Sequence, residues 1–376
     1  MRIAIVHDWL VGYAGGERVL EQIIACYPSA DLFCVVDFVP AEQRGFLGGR
    51  PVTPSFIQRL PLARQHYRSY LGLMPLAVEQ FDLGAYDVVI SSSHAVAKGV
   101  ITGPDQPHIS YVHSPMRYAW DQQHQYLRQS RTDRGLKGAY ARWLLSRLRQ
   151  WDVRTANGVD GFIANSHYIA RRIRKAYRRE AEVIPPPVDT ELFQPGGERG
   201  EAFLVASRQV PYKRIDLIAA AFARMPDLRL VVSGAGPEHG RIREAAGGVP
   251  NIGFLDPCAP AEMAARMQAA RGFVFAGEED FGIVMAEAQA CGTPVIALDR
   301  GGAREIVAGS GTSAPTGVLF SEQSVEGVMA GVREFLAIEA HIAASACRAA
   351  TERFSIENFR RDFTAAVERA IRATRG

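Results

Sequence analysis

The sequence predicts an α/β protein of two domains, each built on a parallel sheet covered by helices. Three observations lead to this prediction. A chain of 376 residues is too long for one compact core. Short apolar runs of strand length alternate with helical segments along the whole chain, which is typical of parallel sheets. The run Pro185-Pro186-Pro187 disfavours both helix and sheet, and it divides the alternation into two series.

The first series opens with a strand, a glycine loop and a helix. The strand is predicted at residues 2–6, the loop at residues 12–18 and the helix from Val19. The loop lacks the GxGxxG spacing of dinucleotide-binding proteins, which disfavours a nicotinamide or flavin enzyme. Glycines before a helix still allow a phosphate or sugar to approach the backbone closely. Further strands are predicted at residues 31–36, 87–90, 108–113 and 161–165.

The second series begins after the prolines. It contains predicted strands at residues 202–206, 228–232, 252–255, 271–276 and 294–297. A capped amphipathic helix is predicted to begin at Ser355 and to run towards the C-terminus. The predicted domains are therefore residues 1–184 and residues 185–354.

The second domain is organised around two glutamates eight positions apart. Glu279 lies in a glycine-containing turn after a predicted strand, and Glu287 lies on the helix that follows, which ends before Gly292 and Pro294. Free N–H groups and a positive dipole end at the start of that helix suit a phosphate or the polar edge of a sugar. The spacing alone is equally compatible with a capping Glu279 and a solvent-facing Glu287.

Polar side chains also follow two predicted strands of the first domain. Residues 91–94 read Ser-Ser-Ser-His after one strand, and residues 113–121, which begin with His113, follow the next. Ligands of open parallel sheets bind at the carboxyl ends of strands, so both stretches are candidate sites. A single histidine at a strand end is also common as a hydrogen-bonded structural residue, and this alternative stays open for His113.

Composition indicates an ordinary globular protein, with 47% apolar and 22% charged residues. No apolar run approaches the length of a membrane-spanning helix, and the first strand is followed at once by polar residues rather than by a signal-peptide core. We therefore expect a cytoplasmic protein. The five cysteines show no metal-binding spacing and are expected to be reduced core residues.

Charge is distributed unevenly. Residues 1–184 carry 23 Lys and Arg against 16 Asp and Glu, whereas the rest carries 20 against 24. The excess concentrates between Arg128 and Arg179, and it suits an anionic membrane surface or simply solubility. Nucleic acid ranks last among the possible partners, because aromatic residues do not alternate with the charges.

Two segments of the first domain could contribute to such a membrane contact. Residues 167–179 predict a helix with an apolar stripe and six cations, which could lie on an anionic leaflet or simply be a solvated helix. Residues 60–83 mix apolar, aromatic and basic side chains, which fits an interfacial surface or a helical excursion packed on its own domain.

Taken together, the motifs resemble those of glycosyltransferase family 4, whose GT-B architecture has two facing Rossmann-like domains and a cleft between them. The resemblance covers nearly the whole chain, and the combined order of the motifs is more specific than any one of them. The matching residues are Gly15-Gly16-Glu17, Arg208 through Lys213, Gly234-Ala235-Gly236, Glu279 through Glu287, and Gly301-Gly302 with Glu305.

The resemblance implies roles for individual residues. Arg208 and Lys213 would hold the nucleotide diphosphate, Glu287 the ribose and Glu279 the donor sugar, while His113 would meet the transferred sugar. The implied catalytic residues are thus His113, Arg208, Lys213 and Glu279. The residues implied in nucleotide-sugar binding are Gly15, Gly16, Arg208, Lys213, Gly234, Phe254, Phe281, Gly282, Ile283 and Glu287.

The resemblance also implies a retaining reaction without cofactor or metal, in which cations and helix ends stabilise the departing diphosphate. No Asp-x-Asp metal motif follows a predicted strand. The N-terminal domain would bind a glycan or lipid-linked acceptor, the C-terminal domain would bind the donor, and the helix at residues 355–376 would pack back on the first domain.

The stretch from His113 to Tyr118, with Trp120-Asp121, is similar to bacterial mannosyltransferases of surface-polysaccharide assembly, which points to GDP-mannose. Ala276-Gly277 departs from the Pro-Ser pair of many relatives and leaves the base and sugar open. The alternatives are a UDP-sugar donor, a sugar-nucleotide 2-epimerase of the same fold, and a non-catalytic sugar-binding protein.

Overall fold

The computed structural model describes residues 1–130 and 132–375, and these form two compact units. The first unit comprises residues 1–185 together with the C-terminal stretch from Phe359, and the second comprises Pro186–Asn358. Helix α14 begins in the second unit and continues through the C-terminal part of the first.

The secondary structure alternates between strands and helices throughout. The strands of the described residues are β1 (Ile3–His7), β2 (Asp31–Cys34), β3 (Val52–Pro54), β4 (Val88–Ser93), β5 (His108–Val112), β6 (Gly161–Ala164), β7 (Glu182–Val183), β8 (Ala202–Ala206), β9 (Arg229–Ser233), β10 (Ile252–Leu255), β11 (Phe273–Phe275), β12 (Val295–Leu298) and β13 (Gly317–Phe320). The α-helices are α1 (Gly15–Cys26), α2 (Ala63–His66), α3 (Met74–Glu79), α4 (Gln123–Gln129), α5 (Gly135–Thr155), α6 (His167–Tyr177), α7 (Ile215–Ala223), α8 (His239–Ala246), α9 (Pro260–Gln268), α10 (Ile283–Ala290), α11 (Ala303–Ile306), α12 (Val325–Ile338), α13 (Ala344–Thr351) and α14 (Ile356–Arg375).

Each unit contains one parallel sheet. The strand order is β3-β2-β1-β4-β5-β6-β7 in the first unit and β10-β9-β8-β11-β12-β13 in the second. All the neighbouring strands run parallel, for example with Ile5 beside Ile90 and Val274 beside Ile296. The predicted pair of Rossmann-like sheets is therefore confirmed. The helices between successive strands provide the crossover connections that parallel pairing requires.

Three strands lie outside the sequence prediction, namely β3, β7 and β13. β3 and β7 have three and two residues and sit at the two edges of the first sheet, where they are only partly buried. Segments this short carry no measurable apolar periodicity. β13 is four residues long and forms one edge of the second sheet.

Helix α14 covers one face of the first sheet. Phe359, Phe363 and Val367 are buried in the same cluster as Ile5, and the rings of Phe359 and Phe363 stack 5.6 Å apart. The α14 side chain of Arg360 donates two hydrogen bonds to Gln22 on α1, at 2.9 and 2.6 Å. The C-terminal stretch is therefore an integral part of the first core.

The apolar stripe of α6 faces the core of its own unit. Ile169, Ile173 and Tyr177 are buried and form a cluster with Phe162. Three of the six cations in this region bind protein groups, because Arg172 donates to Asp121 at 2.6 Å, Arg174 lies 3.4 Å from the carboxylate of Glu180, and Arg179 donates to backbone carbonyls. The prediction that α6 itself offers an apolar face to a leaflet is therefore wrong.

Residues 60–83 show features of both alternatives, a segment packed on its own domain and an interfacial surface. Tyr67, Met74 and Val78 are buried in a core cluster of the first unit, as a packed excursion requires. Leu62, Leu73 and Leu76 nevertheless remain 67%, 41% and 49% exposed. In the part of the chain that the structure describes, no helix combines the length and the apolar character needed to cross a bilayer.

A buried histidine at the start of β5 makes the first unit sensitive to acid. His108 is fully buried, with its Nδ1 3.2 Å from the carbonyl of Gly158 and its Nε2 2.9 Å from the hydroxyl of Ser91. Since a carbonyl can only accept, Nδ1 carries the proton and Nε2 accepts from Ser91. Burial lowers the pKa of His108 to about 4.

We predict that the stability of the first unit falls as the pH drops from about 6.5, the pKa of an unfolded histidine, towards 4. In this window the unfolded chain takes up a proton that the folded His108 resists, which costs up to about 1.4 kcal/mol per pH unit. His108→Gln should weaken this dependence. Urea unfolding at pH 7 and pH 5 measures it.

Tryptophan fluorescence follows this unit selectively, because Trp9, Trp120, Trp143 and Trp151 all belong to it. A general loss of stability in the variant does not affect the comparison, since the quantity of interest is the difference between the two pH values. An unchanged difference in His108→Gln contradicts the assignment.

Candidate functional site

Both sheets have a point at which the strand order reverses, and most of the predicted site residues lie in loops at or next to these two points. In the second unit the reversal falls between β8 and β11, and in the first it falls between β1 and β4. Loops that leave two neighbouring strands there turn in opposite directions, and the resulting crevice is the usual ligand site of open α/β sheets.

Glycines allow the loops of the second unit to pack backbone against backbone. A Cβ on Gly277 would lie 3.0 Å from the carbonyl oxygen of Tyr212, and a Cβ on Gly301 or Gly302 would overlap the carbonyl oxygen of Glu279 or Phe281. The N–H of Gly302 donates to the Glu279 carbonyl at 2.9 Å. The turn that carries Glu279 is therefore held between the loops that follow β8 and β12.

Lys213 and Glu279 are in direct contact. Nζ of Lys213 donates to Oε1 of Glu279, and both side chains are largely shielded from solvent. The ammonium group also lies 5.1 Å from the centre of the Phe275 ring. The structure thus brings together a cation and a carboxylate that are 66 residues apart in the chain.

Glu287 and the start of α10 complete this edge of the sheet. Glu287 is buried on α10, so the alternative of a solvent-facing side chain is wrong. Gly282 precedes the helix with φ +97°, a left-handed conformation that favours glycine. The side chain of Phe281 is buried against Phe354, whereas Ile283 is half-buried at the first helical position. Helix geometry leaves the N–H groups of the first two residues of α10 without an intrahelical acceptor, whereas the N–H of Met285 donates to the carbonyl of Gly282 at 2.9 Å.

The glycines after β9 pack against the loop after β8. Gly234 has φ +127°, and a Cβ there would overlap the carbonyl oxygen of Ser207. The fully buried Gln209 ties these two loops together, because its Nε2 donates to the Gly234 carbonyl at 2.8 Å and its Oε1 lies 2.8 Å from Nδ1 of His239.

Two other predicted residues of this unit lie at its surface. Arg208 is exposed, and within the described residues no hydrogen bond or ion pair joins it to Lys213 or Glu279. Phe254, on β10, is half-buried and lies beneath the guanidinium of Arg243 at 4.4 Å. The structure therefore places Arg208 beside the strand reversal. Phe254 lies further away, on β10, which is separated from β8 by β9.

In the first unit, Ser92 joins two histidines at the ends of three adjacent strands. Its hydroxyl lies 3.1 Å from Nδ1 of His7 and 2.8 Å from Nε2 of His113. A hydroxyl has one proton to donate, so one imidazole accepts from Ser92 while the other donates to it. His113 is therefore hydrogen-bonded within the unit, as the structural alternative expects, and it also lies at the strand ends, as a ligand-binding role requires.

Asp8 organises the turn that follows β4. Its two carboxylate oxygens accept the N–H groups of residues 94–97 at 2.5 to 2.9 Å, and one of them also lies 2.9 Å from Nδ1 of His94. Burial would raise the pKa of Asp8, but the charge and hydrogen bonds of His94 outweigh it and hold the pKa well below its usual value. Asp8 is therefore ionised, and it fixes the ring of His94.

The glycine loop begins α1 beside this network. The Glu17 carboxylate accepts the N–H of Ala14 at 3.1 Å and lies 3.9 Å from Nε2 of His7. A Cβ on Gly15 would meet nothing within 4 Å, and one on Gly16 would only reach the His7 ring at 4.0 Å. Packing within the chain therefore does not require glycine at either position.

Electrostatics keep His113 neutral. Burial, together with the neighbouring imidazoles of His94 and His7, lowers its pKa to about 3. At neutral pH this side chain is a hydrogen-bonding group rather than a cation.

His7, Asp8 and Gln209 are not among the site residues predicted from the sequence. Each of them ends or follows a buried strand, which is the criterion that selected His113.

Two family models match the chain in succession. The model described as Glycosyltransferase Family 4 matches residues 13–192, and the model described as Glycosyl transferases group 1 matches residues 189–353. Together they extend over both units.

Curated relatives match part of the chain. D-inositol 3-phosphate glycosyltransferase of Mycobacterium leprae (strain Br4923) is 31% identical over 166 residues, which covers 38% of this chain and 39% of the relative. The enzyme of the same name from Mycolicibacterium paratuberculosis is 29% identical over 239 residues, which covers 57% of this chain and 53% of the relative. The chain thus spans about two fifths to one half of these relatives.

Solved structures match over nearly the full length. Anabaena Alr3699/HepE in complex with UDP aligns with a TM-score of 0.72 at 19% identity, covering 98% of this chain and all of that one. Sucrose-phosphate synthase from Thermosynechococcus elongatus aligns with a TM-score of 0.72 at 18% identity, covering 99% and 100%. These likenesses show a shared GT-B fold, and the chain matches the model described as Glycosyltransferase Family 4 in its first part and the model described as Glycosyl transferases group 1 in its second.

Proposed function

We propose that the protein is a retaining glycosyltransferase that moves a sugar from a nucleotide-sugar to a glycan or lipid-linked acceptor in surface-polysaccharide assembly. The contact between Lys213 and Glu279 at the strand reversal of the second unit carries this proposal. The support is that a cation, which suits a phosphate, and a carboxylate, which suits sugar hydroxyls, lie side by side close to the first turn of α10.

The second unit is the proposed donor domain. Lys213 and Arg208 bind the diphosphate, and the N–H groups at Gly282 and Ile283 supply further donors, so that no metal or cofactor is needed for charge stabilisation. Glu279 binds the donor sugar and Glu287 binds the ribose. Donor binding then transfers Lys213 from Glu279 to the phosphates, which frees the carboxylate to accept hydrogen bonds from sugar hydroxyls.

The first unit is the proposed acceptor domain. In the reaction, the bond between C1 of the sugar and the phosphate oxygen breaks while an acceptor oxygen forms a bond to C1 on the same face. The acceptor proton passes to the departing phosphate, which carries the charge away. Neutral His113, oriented by Ser92, offers a hydrogen bond to the transferred sugar. The open space beside Gly15 and Gly16 allows close approach of the diphosphate to the backbone.

The proposed donor is GDP-mannose, supported by the stretch from His113 to Asp121 that resembles bacterial mannosyltransferases. A UDP-sugar is the second candidate, because the structurally similar Anabaena protein binds UDP. The inositol phosphate acceptor in the names of the curated relatives indicates that a small phosphorylated polyol also belongs in an acceptor screen.

A thermal-shift panel of GDP, UDP and ADP tests the donor. We expect GDP to raise the unfolding temperature most, because a ligand that binds only the folded state stabilises it in proportion to the logarithm of its concentration over Kd. A larger shift with UDP overturns GDP-mannose and leaves sugar transfer intact. Mannose isomerisation in the absence of any acceptor overturns transfer in favour of the 2-epimerase.

Removing either phosphate-binding cation should abolish most of the activity. Lys213→Ala and Arg208→Ala are each expected to lower kcat by two or more orders of magnitude, since one preorganised charge contributes about 3–4 kcal/mol to a developing anion. Turnover is measured at saturating donor. The matched control is Arg224→Ala, which removes an exposed cation paired with Glu326 at the opposite end of α7. Near-normal kcat in either site variant contradicts the diphosphate assignment.

The two glutamates should affect different parameters. Glu287→Ala is expected to weaken GDP and donor binding about tenfold or more, because a hydrogen bond to a charged group contributes about 1.5–3 kcal/mol. Glu279→Ala is expected to lower kcat while leaving GDP affinity unchanged or tighter, since Lys213 loses its competing partner. Calorimetric titration with GDP and steady-state kinetics separate these effects. Equal losses of GDP affinity in both variants contradict the assignment.

The proposed place of work is the cytoplasmic face of a membrane, where a lipid-linked acceptor is available. The basic excess of the first 184 residues supports this location, because anionic leaflets attract polybasic surfaces.

A further inference from the structure

The first three turns of α5 expose large apolar side chains on one face. Leu136, Tyr140 and Trp143 are 90%, 61% and 58% exposed, and the rings of Tyr140 and Trp143 stack at 5.8 Å. Their spacing of four and three residues places them on the same side of the helix. Leu145 and Leu148, on the other side, are buried in the core of the first unit.

Exposed cations border these apolar side chains. Arg134, Lys137, Arg142 and Arg147 are all exposed, and Asp133 is the only acidic residue in the sequence from Arg128 to Trp151. We use the name α5 face for Leu136, Tyr140 and Trp143 together with Arg134, Lys137 and Arg147. Apolar and basic side chains in one helical surface are typical of helices that lie in a membrane interface.

The C-terminal half of α5 is firmly attached to its unit. Nζ of Lys98 lies 2.8 Å from the carboxylate of Asp152, and both side chains are buried. The indole of Trp151 donates to Glu79 on α3 at 2.7 Å. The helix therefore presents the α5 face from a rigid base.

Exposed leucines lie close to the α5 face. Gly72 packs against Leu144 of α5, since a Cβ on this glycine would lie 3.3 Å from Cδ1 of that leucine. Leu73 follows Gly72 in the chain and is 41% exposed. The apolar surface thus extends from α5 towards residues 73–76.

We propose that the α5 face docks the protein onto an anionic lipid bilayer, with Leu136, Tyr140 and Trp143 entering the interface and the cations meeting lipid phosphates. This inference rests on the proposed membrane location and names the surface responsible. Charge complementarity favours a bilayer over a second copy of the chain, because two faces that each carry clustered cations repel each other, whereas an anionic leaflet attracts them.

Liposome flotation of the full chain tests the proposal. The wild type is expected to float with vesicles of phosphatidylcholine and phosphatidylglycerol, to stay behind with phosphatidylcholine alone, and to dissociate as salt screens the charges. The triple variant Arg134→Gln, Lys137→Gln, Arg147→Gln is expected to bind about a hundredfold more weakly, since each basic residue contributes roughly fivefold.

The matched control removes three exposed cations of α6 instead, by Arg171→Gln, Arg174→Gln and Lys175→Gln. It changes the net charge equally and should retain most of the binding. Trp143 gives a direct signal, because its fluorescence should shift to shorter wavelength with anionic vesicles and the shift should disappear in Trp143→Phe. The apolar variant Leu136→Ser, Tyr140→Ser should reduce binding at every salt concentration.

The flotation results distinguish the α5 face from the membrane location and from sugar transfer. A wild type that floats while the α5 variants float equally well overturns the α5 face and keeps the membrane location. A wild type that does not float overturns both and leaves sugar transfer, which is measured with a soluble acceptor, unaffected. Dimerisation that is lost in Leu136→Ser, Tyr140→Ser, without vesicle binding, assigns the face to a second copy of the chain.

Discussion

Parallel strand pairing is the constraint on which the rest of the structure depends. Because every strand in a sheet runs in the same direction, all carboxyl ends lie at one edge, and the loops that leave this edge carry the candidate site residues. The reversal of strand order at β1 and β4, and again at β8 and β11, opens the space between such loops. Lys213, Glu279 and Glu287 in one unit, and Ser92 and His113 in the other, lie at these edges for this single topological reason.

Close backbone contact turns this edge into a rigid surface in the second unit. The glycines of three loops approach neighbouring carbonyl oxygens so closely that any side chain would displace them. The backbone of the turn bearing Glu279 is consequently held from both sides. Rigid placement would suit the proposed donor site, since preorganised charges need no reorganisation during the reaction.

The first unit reaches the same rigidity through buried polar groups. Asp8 has no solvent contact and accepts four N–H groups as well as a histidine, so its charge is fully compensated. Removing such a carboxylate would leave several buried donors unsatisfied, which costs about 1–3 kcal/mol for each. Beside this cluster, the hydroxyl of Ser92 forms hydrogen bonds with His7 and His113, which joins the ends of three adjacent strands.

Much of the fold follows from the sequence alone, because buried parallel strands form continuous apolar runs. These runs can be recognised in the sequence without knowing which strands pair with one another. The same applies to the position of Glu279 after β11 and of His113 after β5, since strand ends can be found wherever such runs stop.

Contacts between distant segments cannot be predicted in this way. Nothing in the spacing pairs Lys213 with Glu279, buries Glu287, or explains why Gly301 and Gly302 must lack side chains. Apolar residues on one side of a helix likewise do not show whether the protein itself buries them. The apolar side chains of α6 pack into the core of its own unit, whereas Leu136, Tyr140 and Trp143 of α5 remain exposed to solvent. Only tertiary packing decides between these cases, because it determines which neighbour reaches each face.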